Sequence, residues 1–193
     1  MAYLLQIDSM TTQEALVKYL SDMYALEAHL AQPLKSQAKD EDFSPYPQAQ
    51  SLVREILART ETAQAELEAM AKSLGGDARS GIKAAVTAVA GAAAAVINEG
   101  RTHPITKKLR DDSTALALAA TGYELLHATA NALGSPVVAA LAQRQLHQVA
   151  GHVMRLSQEI IPVAVKELSQ TNEVDLSTVT TSQKNVKAAW TSF

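Results

Sequence analysis

The sequence predicts an all-α fold, a four-helix bundle, and three observations carry that reading. Four long stretches place apolar residues at alternating steps of three and four, the spacing of a helix that buries one stripe. Aromatic residues are only 4% of the chain while alanine recurs in nearly every segment, a composition that suits close packing between helices. No segment shows the two-residue alternation of a strand, and no internal repeat interrupts the helical periods.

At 193 residues the chain suits one substantial domain. A net charge of −3, with no basic stripe interleaved with aromatics, argues against a nucleic-acid partner. The absence of cysteine excludes disulfides, thiol nucleophiles and cysteine-based metal sites. Residues 1–10 (MAYLLQIDSM) lack the basic start and long apolar core of a signal peptide, so a cytoplasmic location is expected. The chain divides into an N-terminal arm over 1–10, a helical bundle over 11–169 and a C-terminal tail over 170–193.

The first helix is expected to begin after Thr11 or Thr12, with Glu14 placed to close a capping box on Thr11, and to run through Pro33 to about Gln37. Its stripe is Leu16, Leu20, Met23, Glu27, Leu30 and Leu34. Residues 39–47 (KDEDFSPYP), acidic and carrying two prolines, read as a loop. The second helix runs from Pro47 to Leu74 and stops at Gly75–Gly76, with the stripe Val53, Ile56, Thr60, Ala63, Leu67, Met70 and Leu74.

Residues 82–97 are expected to form a short, very apolar helix, below the length and hydrophobicity of a membrane span and so a buried accessory helix or a face for a partner subunit, and residues 100–112 a polar connection. Asp112 or Ser113 caps the third helix, which ends at Gly134 and has the stripe Leu116, Ala119, Tyr123, Leu126, Ala130 and Leu133. The fourth starts at Pro136, reaches about Ser169, and carries Ala139, Ala142, Leu146, Val149, Val153, Leu156, Ile160 and Val163. The Thr/Ser-rich tail is expected to be ordered in part if Trp190 or Phe193 docks.

Glu27 is the position that asks for an explanation. A carboxylate in the middle of an apolar stripe costs free energy unless something pairs with it. A two-metal carboxylate centre in a bundle draws one Glu from each of two helices and a Glu-x-x-His from each of the others. Here the other three stripes offer only Thr60 and Tyr123.

Over about residues 15–168 the chain resembles the ferritin-like family of bacterial stress-associated proteins typified by YciF and YciE. The family pattern of the first helix reads here as Leu20, Asp22, Tyr24, Glu27 and Leu30. In the second helix Thr60, Leu67, Leu74 and Gly75 match, and the family's histidine position is Ile56. Its E-H-x-E of the third helix falls on Leu116, Ala117 and Ala119, ahead of the retained Tyr123, Ala130, Leu133 and Gly134. Its acidic motif in the fourth helix reads Leu146, Gln148, Val149, Val153 and Leu156. The resemblance implies a ferritin-like bundle, with a general link to bacterial stress, whose di-iron ligands are replaced almost throughout.

The expected candidate site is a buried polar cluster of Glu27, Thr60, Tyr123 and His127, with no metal and no cofactor. Glu27 is expected to hydrogen-bond Tyr123 or Thr60. On that basis Gln in its place costs about 1–3 kcal/mol at most. A site shifted to Glu27, His127 and His152 would require the helices to rotate relative to these stripes. The polar run Gln145, Gln148, His152, Arg155 and Glu159 reads as a solvated edge, and Gly122 and Gly151 as close helix crossings.

The function expected from this is a non-catalytic bundle protein acting through its surface, as a homo-oligomer, most simply a dimer. The alternative is a cofactor-independent enzyme or binder of a small apolar molecule, using a bundle cavity near Glu27, Tyr123 and His127.

Overall fold

The computed structural model describes residues 10–81 and 104–192. Five α-helices lie within them: α1 (Thr12–Gln37), α2 (Pro47–Ser73), α3 (Pro104–Ala132), α4 (Pro136–Leu168) and α5 (Thr178–Thr191). The expected apolar helix over 82–97, and all of the N-terminal arm but Met10, lie outside the described residues.

Helix α1 starts where the sequence signals it. Glu14 N–H donates to Thr11 Oγ1 at 3.2 Å and Thr11 N–H donates to Glu14 Oε2 at 2.8 Å, a reciprocal capping box that satisfies two otherwise orphan donors. Helices α2 and α3 both end in a glycine of positive φ, +74° at Gly75 and +69° at Gly134. In each case the amide after the glycine returns to a carbonyl five residues back, Gly76 to Ala71 at 2.9 Å and Ser135 to Ala130 at 2.8 Å. This is the Schellman closure, and a side chain at either glycine would be strained.

Helix α1 packs on α2 and α3 on α4, and the two hairpins meet with α1 against α3 and α2 against α4. The four stripes therefore face one another across a common core. Leu20, Ile56, Leu67, Leu116, Tyr123, Leu126 and Leu156 are all sealed inside it. At about 1.5–3 kcal/mol for each fully buried large apolar side chain, this burial is the main force holding the helices together. Gly122 lets α3 approach α1, since a Cβ there would stand 2.5 Å from Met23 Sδ.

Four sequence expectations need correction. Helix α3 begins at Pro104, eight residues before Asp112. Its cap is supplied from a distance: Glu167, buried near the end of α4, accepts from the amides of Ile105 at 2.9 Å and Thr106 at 3.0 Å. A carboxylate held against a helix N-terminus satisfies its free amides and complements its dipole. The loop over 39–47 contains a 3-10 turn, Glu41–Phe43, which drops Phe43 into the core.

The third correction concerns Gly151, where an added Cβ would meet open space rather than a neighbouring helix. The fourth is the tail. Thr178–Thr191 forms α5, which packs on α4 and donates from Gln183 Nε2 to the Gln158 carbonyl at 3.1 Å. Trp190 takes no part in this and stays 52% exposed.

Candidate functional site

Glu27 lies on the buried face of α1 and is wholly inaccessible. Its carboxylate meets the guanidinium of Arg59 from α2, itself only 8% exposed. Arg59 donates from Nη1 to Glu27 Oε2 at 3.0 Å and from Nη2 to Glu27 Oε1, a two-pronged match between planar fork and planar acceptor. Tyr123, from α3, donates its hydroxyl to Glu27 Oε1 at 2.7 Å. Its ring also lies under the guanidinium, 5.6 Å from Cζ to ring centre.

The fourth helix completes the constellation. Gln145, buried on α4, accepts from Arg59 Nη2 at 3.3 Å through Oε1 and donates from Nε2 to Glu66 Oε2 at 2.6 Å. Glu66 in turn accepts from Arg144 at the surface, at 2.9 Å. All four bundle helices thus contribute to a network that runs from Tyr123 in the core to solvent beside α2 and α4.

Burial pushes the Glu27 carboxyl up from its ordinary range, and Arg59, Tyr123 and Thr60 pull it part of the way back. Glu27 nevertheless functions as the anion of the pair, because protonating it would leave a permanently charged guanidinium buried without a counter-charge. Tyr123 is held well above its usual range by burial and by the Glu27 charge, so it is a hydrogen-bond donor here and not a proton source.

Of the expected cluster, the structure brings Glu27, Tyr123 and Thr60 into one buried neighbourhood. Thr60 Oγ1 is buried without a well-formed hydrogen bond, while Tyr123 makes the close contact. His127 belongs elsewhere. Its Nδ1 donates to the Ala139 carbonyl at 2.9 Å and its Nε2 accepts from Asn131 at 3.0 Å, so it ties α3 to the start of α4. His152 lies on α4 in a groove that Arg59 and Arg155 also line, and Glu27, His127 and His152 form no group that could hold a metal ion.

A metal pair does not fit these residues. Ile56, Leu116, Ala119, Val149 and Val153, which fall on the ligand positions of the resembling family, are all buried apolar side chains. Among the described residues no group of three or more His, Asp or Glu is gathered closely enough to hold a metal ion. Glu27, the acid on the α1 stripe, already has both oxygens bonded by a guanidinium.

Residues 11–167 match the family described as a domain of unknown function, DUF892. The chain belongs to that family. The match covers the four bundle helices that build the DUF892 domain and stops just before the end of α4. A crystal structure of a protein from Xanthomonas campestris pv. campestris is similar, with a TM-score of 0.66 and 20% identity over 82% of this chain and 97% of that one. At that identity the likeness concerns the fold. No curated protein matches the sequence.

Within this DUF892 domain, Arg59 and Gln145 are the site residues that the stripes of the sequence do not include. A signal for both exists. Leu52, Ile56, Arg59 and Ala63 step by four, three and four, as regularly as the stripe through Thr60, and all four are buried. Val138, Ala142, Gln145 and Val149 do the same on α4. An acid on one seam demands a cation on a facing seam, and Arg59 is a basic residue at such a place.

Proposed function

We propose that this chain is a ferritin-like bundle in which a fixed organic cation has taken the place of a metal pair. In this reading it is a non-catalytic, stress-associated protein of the bacterial cytoplasm that acts through its outer surface. The observation that carries the reading is the Glu27–Arg59 pair: the carboxylate on the α1 stripe is closed on both oxygens, and Arg59 supplies the positive charge that metal ions supply in di-iron bundles. The stress association rests on the sequence resemblance, and the compartment on the character of residues 1–10.

Two exposed leucines support the surface role. Leu118 and Leu125 stand seven residues apart on α3 and are 48% and 57% exposed, an apolar pair of the kind that a partner copy covers. An enzyme built on Glu27 lacks comparable support. It would need a carboxylate oxygen free to accept a proton, and His127 is engaged with Ala139 and Asn131 instead.

Metal analysis of protein purified from iron- and manganese-supplemented cells tests the proposal. The expected result is far less than one metal ion per chain and an unfolding temperature insensitive to chelator. Tightly bound, stoichiometric metal would overturn it.

A further inference from the structure

A groove of about 510 Å³ runs between α2 and α4, over the outer side of the buried pair. Its lining includes Arg59, Thr62, His147, Gly151, His152 and Arg155, and no carboxylate. The carboxylate bound to its rim is Glu55, which accepts from Arg155 Nη1 at 2.5 Å. Both partners of that pair are about half exposed, and such a contact is readily exchanged for another anion.

Two further observations point the same way. Arg59 Nε and His152 Nδ1 are buried polar atoms without hydrogen-bond partners, and both belong to side chains of the groove. Buried polar atoms left unused in a folded protein call for an explanation, an absent bonding partner among them. Gly151 lies in the interior of α4, where glycine is a poor helix former, and nothing packs on it. It leaves the helix backbone open to whatever occupies the groove.

We propose that this groove binds the oxyanion of a small molecule, a phosphate or a carboxylate, with Arg155 and His152 as its principal donors and Gly151 as the point of close approach. The volume is of the size that small-molecule sites have. The groups facing His152 are Arg155 on its own helix and Arg59 and Glu55 on α2. Burial holds the imidazole below its usual range, and the two arginines press the same way against the weaker pull of Glu55. An oxyanion seated between His152 and Arg155 reverses that balance and favours the imidazolium.

The test follows the His152 ring resonance of the full chain through a pH titration in chloride, inorganic phosphate and acetate at equal ionic strength. The expected result is a saturable rise of at least about half a unit in the His152 titration midpoint, a threefold preference for the protonated ring. A rise with phosphate alone assigns a phosphate ligand, and a rise with both anions assigns the wider class. Arg155→Gln, at an exposed position, and Gly151→Leu, which fills the groove from open space, should each abolish the rise while leaving the fold intact by circular dichroism. An unchanged midpoint in all three salts overturns the proposal, as does a rise that survives in both variants.

Discussion

Arg59 and Glu27 meet across the α1–α2 seam as a two-pronged ion pair, with 8% and 0% of their surfaces exposed. A buried pair of this kind gains little over an apolar core of the same shape, yet removing one partner strands the other in a medium that solvates it poorly. Glu27→Gln should therefore cost about 3–5 kcal/mol, more than the 1–3 expected of a neutral core hydrogen bond. Tyr123→Phe removes one bond to the carboxylate and leaves the ion pair, so it should cost about 1.5–3 kcal/mol. Urea unfolding of both variants checks the order; a Glu27→Gln variant milder than Tyr123→Phe would contradict it.

That revision shows what the sequence made legible and what it hid. The α1 stripe is buried at every one of its six positions, Glu27 included, because a step of three and four is dictated by helix geometry alone. Thr11, Gly75, Gly134 and Pro136 mark helix ends by local chemistry, and local chemistry is readable in a window of a few residues. Arg59 was hidden because a long cationic side chain beside a stripe ordinarily lies along the surface with its head in water. Only the facing carboxylate, 32 residues earlier, turns it inward. The start of α3 was hidden for the same kind of reason, since its cap, Glu167, lies 62 residues beyond Ile105 in sequence.

The Glu167 cap makes its own prediction. Glu167→Ala leaves the amides of Ile105 and Thr106 without acceptors at a helix N-terminus. It should cost about 1–2 kcal/mol, with the loss concentrated in the first turn of α3. Amide hydrogen exchange at Ile105 and Thr106 should accelerate well before exchange in the middle of the helix. Equal acceleration along the whole of α3 would contradict a local cap.

Asp112 carries the clearest pH dependence. Burial raises its carboxyl from 3.8 to about 7, against the one bond it accepts from Gln37 Nε2 at 3.0 Å. Gln37 Oε1 and Asp112 Oδ2 are left unpaired, the two atoms that a carboxylic-acid proton would join. Between about pH 4 and pH 7 the folded state thus binds more protons than the unfolded state, and stability from this group falls as pH rises through that window. Asp112→Asn should match the wild type near pH 4 and exceed it by on the order of 2–4 kcal/mol at pH 8. Denaturant unfolding at both pH values measures the difference; a constant gap between the two proteins would contradict the assignment.

Two helix-interior glycines should respond oppositely to alanine. At Gly151 the new methyl enters open space, so Gly151→Ala should stabilise the protein by about 0.5–1 kcal/mol through helix propensity. At Gly122 the methyl meets Met23 Sδ at 2.5 Å, and displacing that side chain from the α1–α3 contact should offset the gain or reverse it. Unfolding temperatures of the two variants provide the comparison. A Gly122→Ala variant stabilised as much as Gly151→Ala would show that the crossing is looser than this geometry.

Glu27 serves as the counter-charge of Arg59. A double-mutant cycle with Glu27→Met and Arg59→Met tests it most directly, with stability read from urea unfolding. Each single change should cost about 3–5 kcal/mol, while the double variant, freed of any stranded charge, should lose far less than their sum, with a coupling energy of about 2–4 kcal/mol. Additive losses, with a coupling below about 0.5 kcal/mol, would contradict this pairing and assign Glu27 a partner other than Arg59.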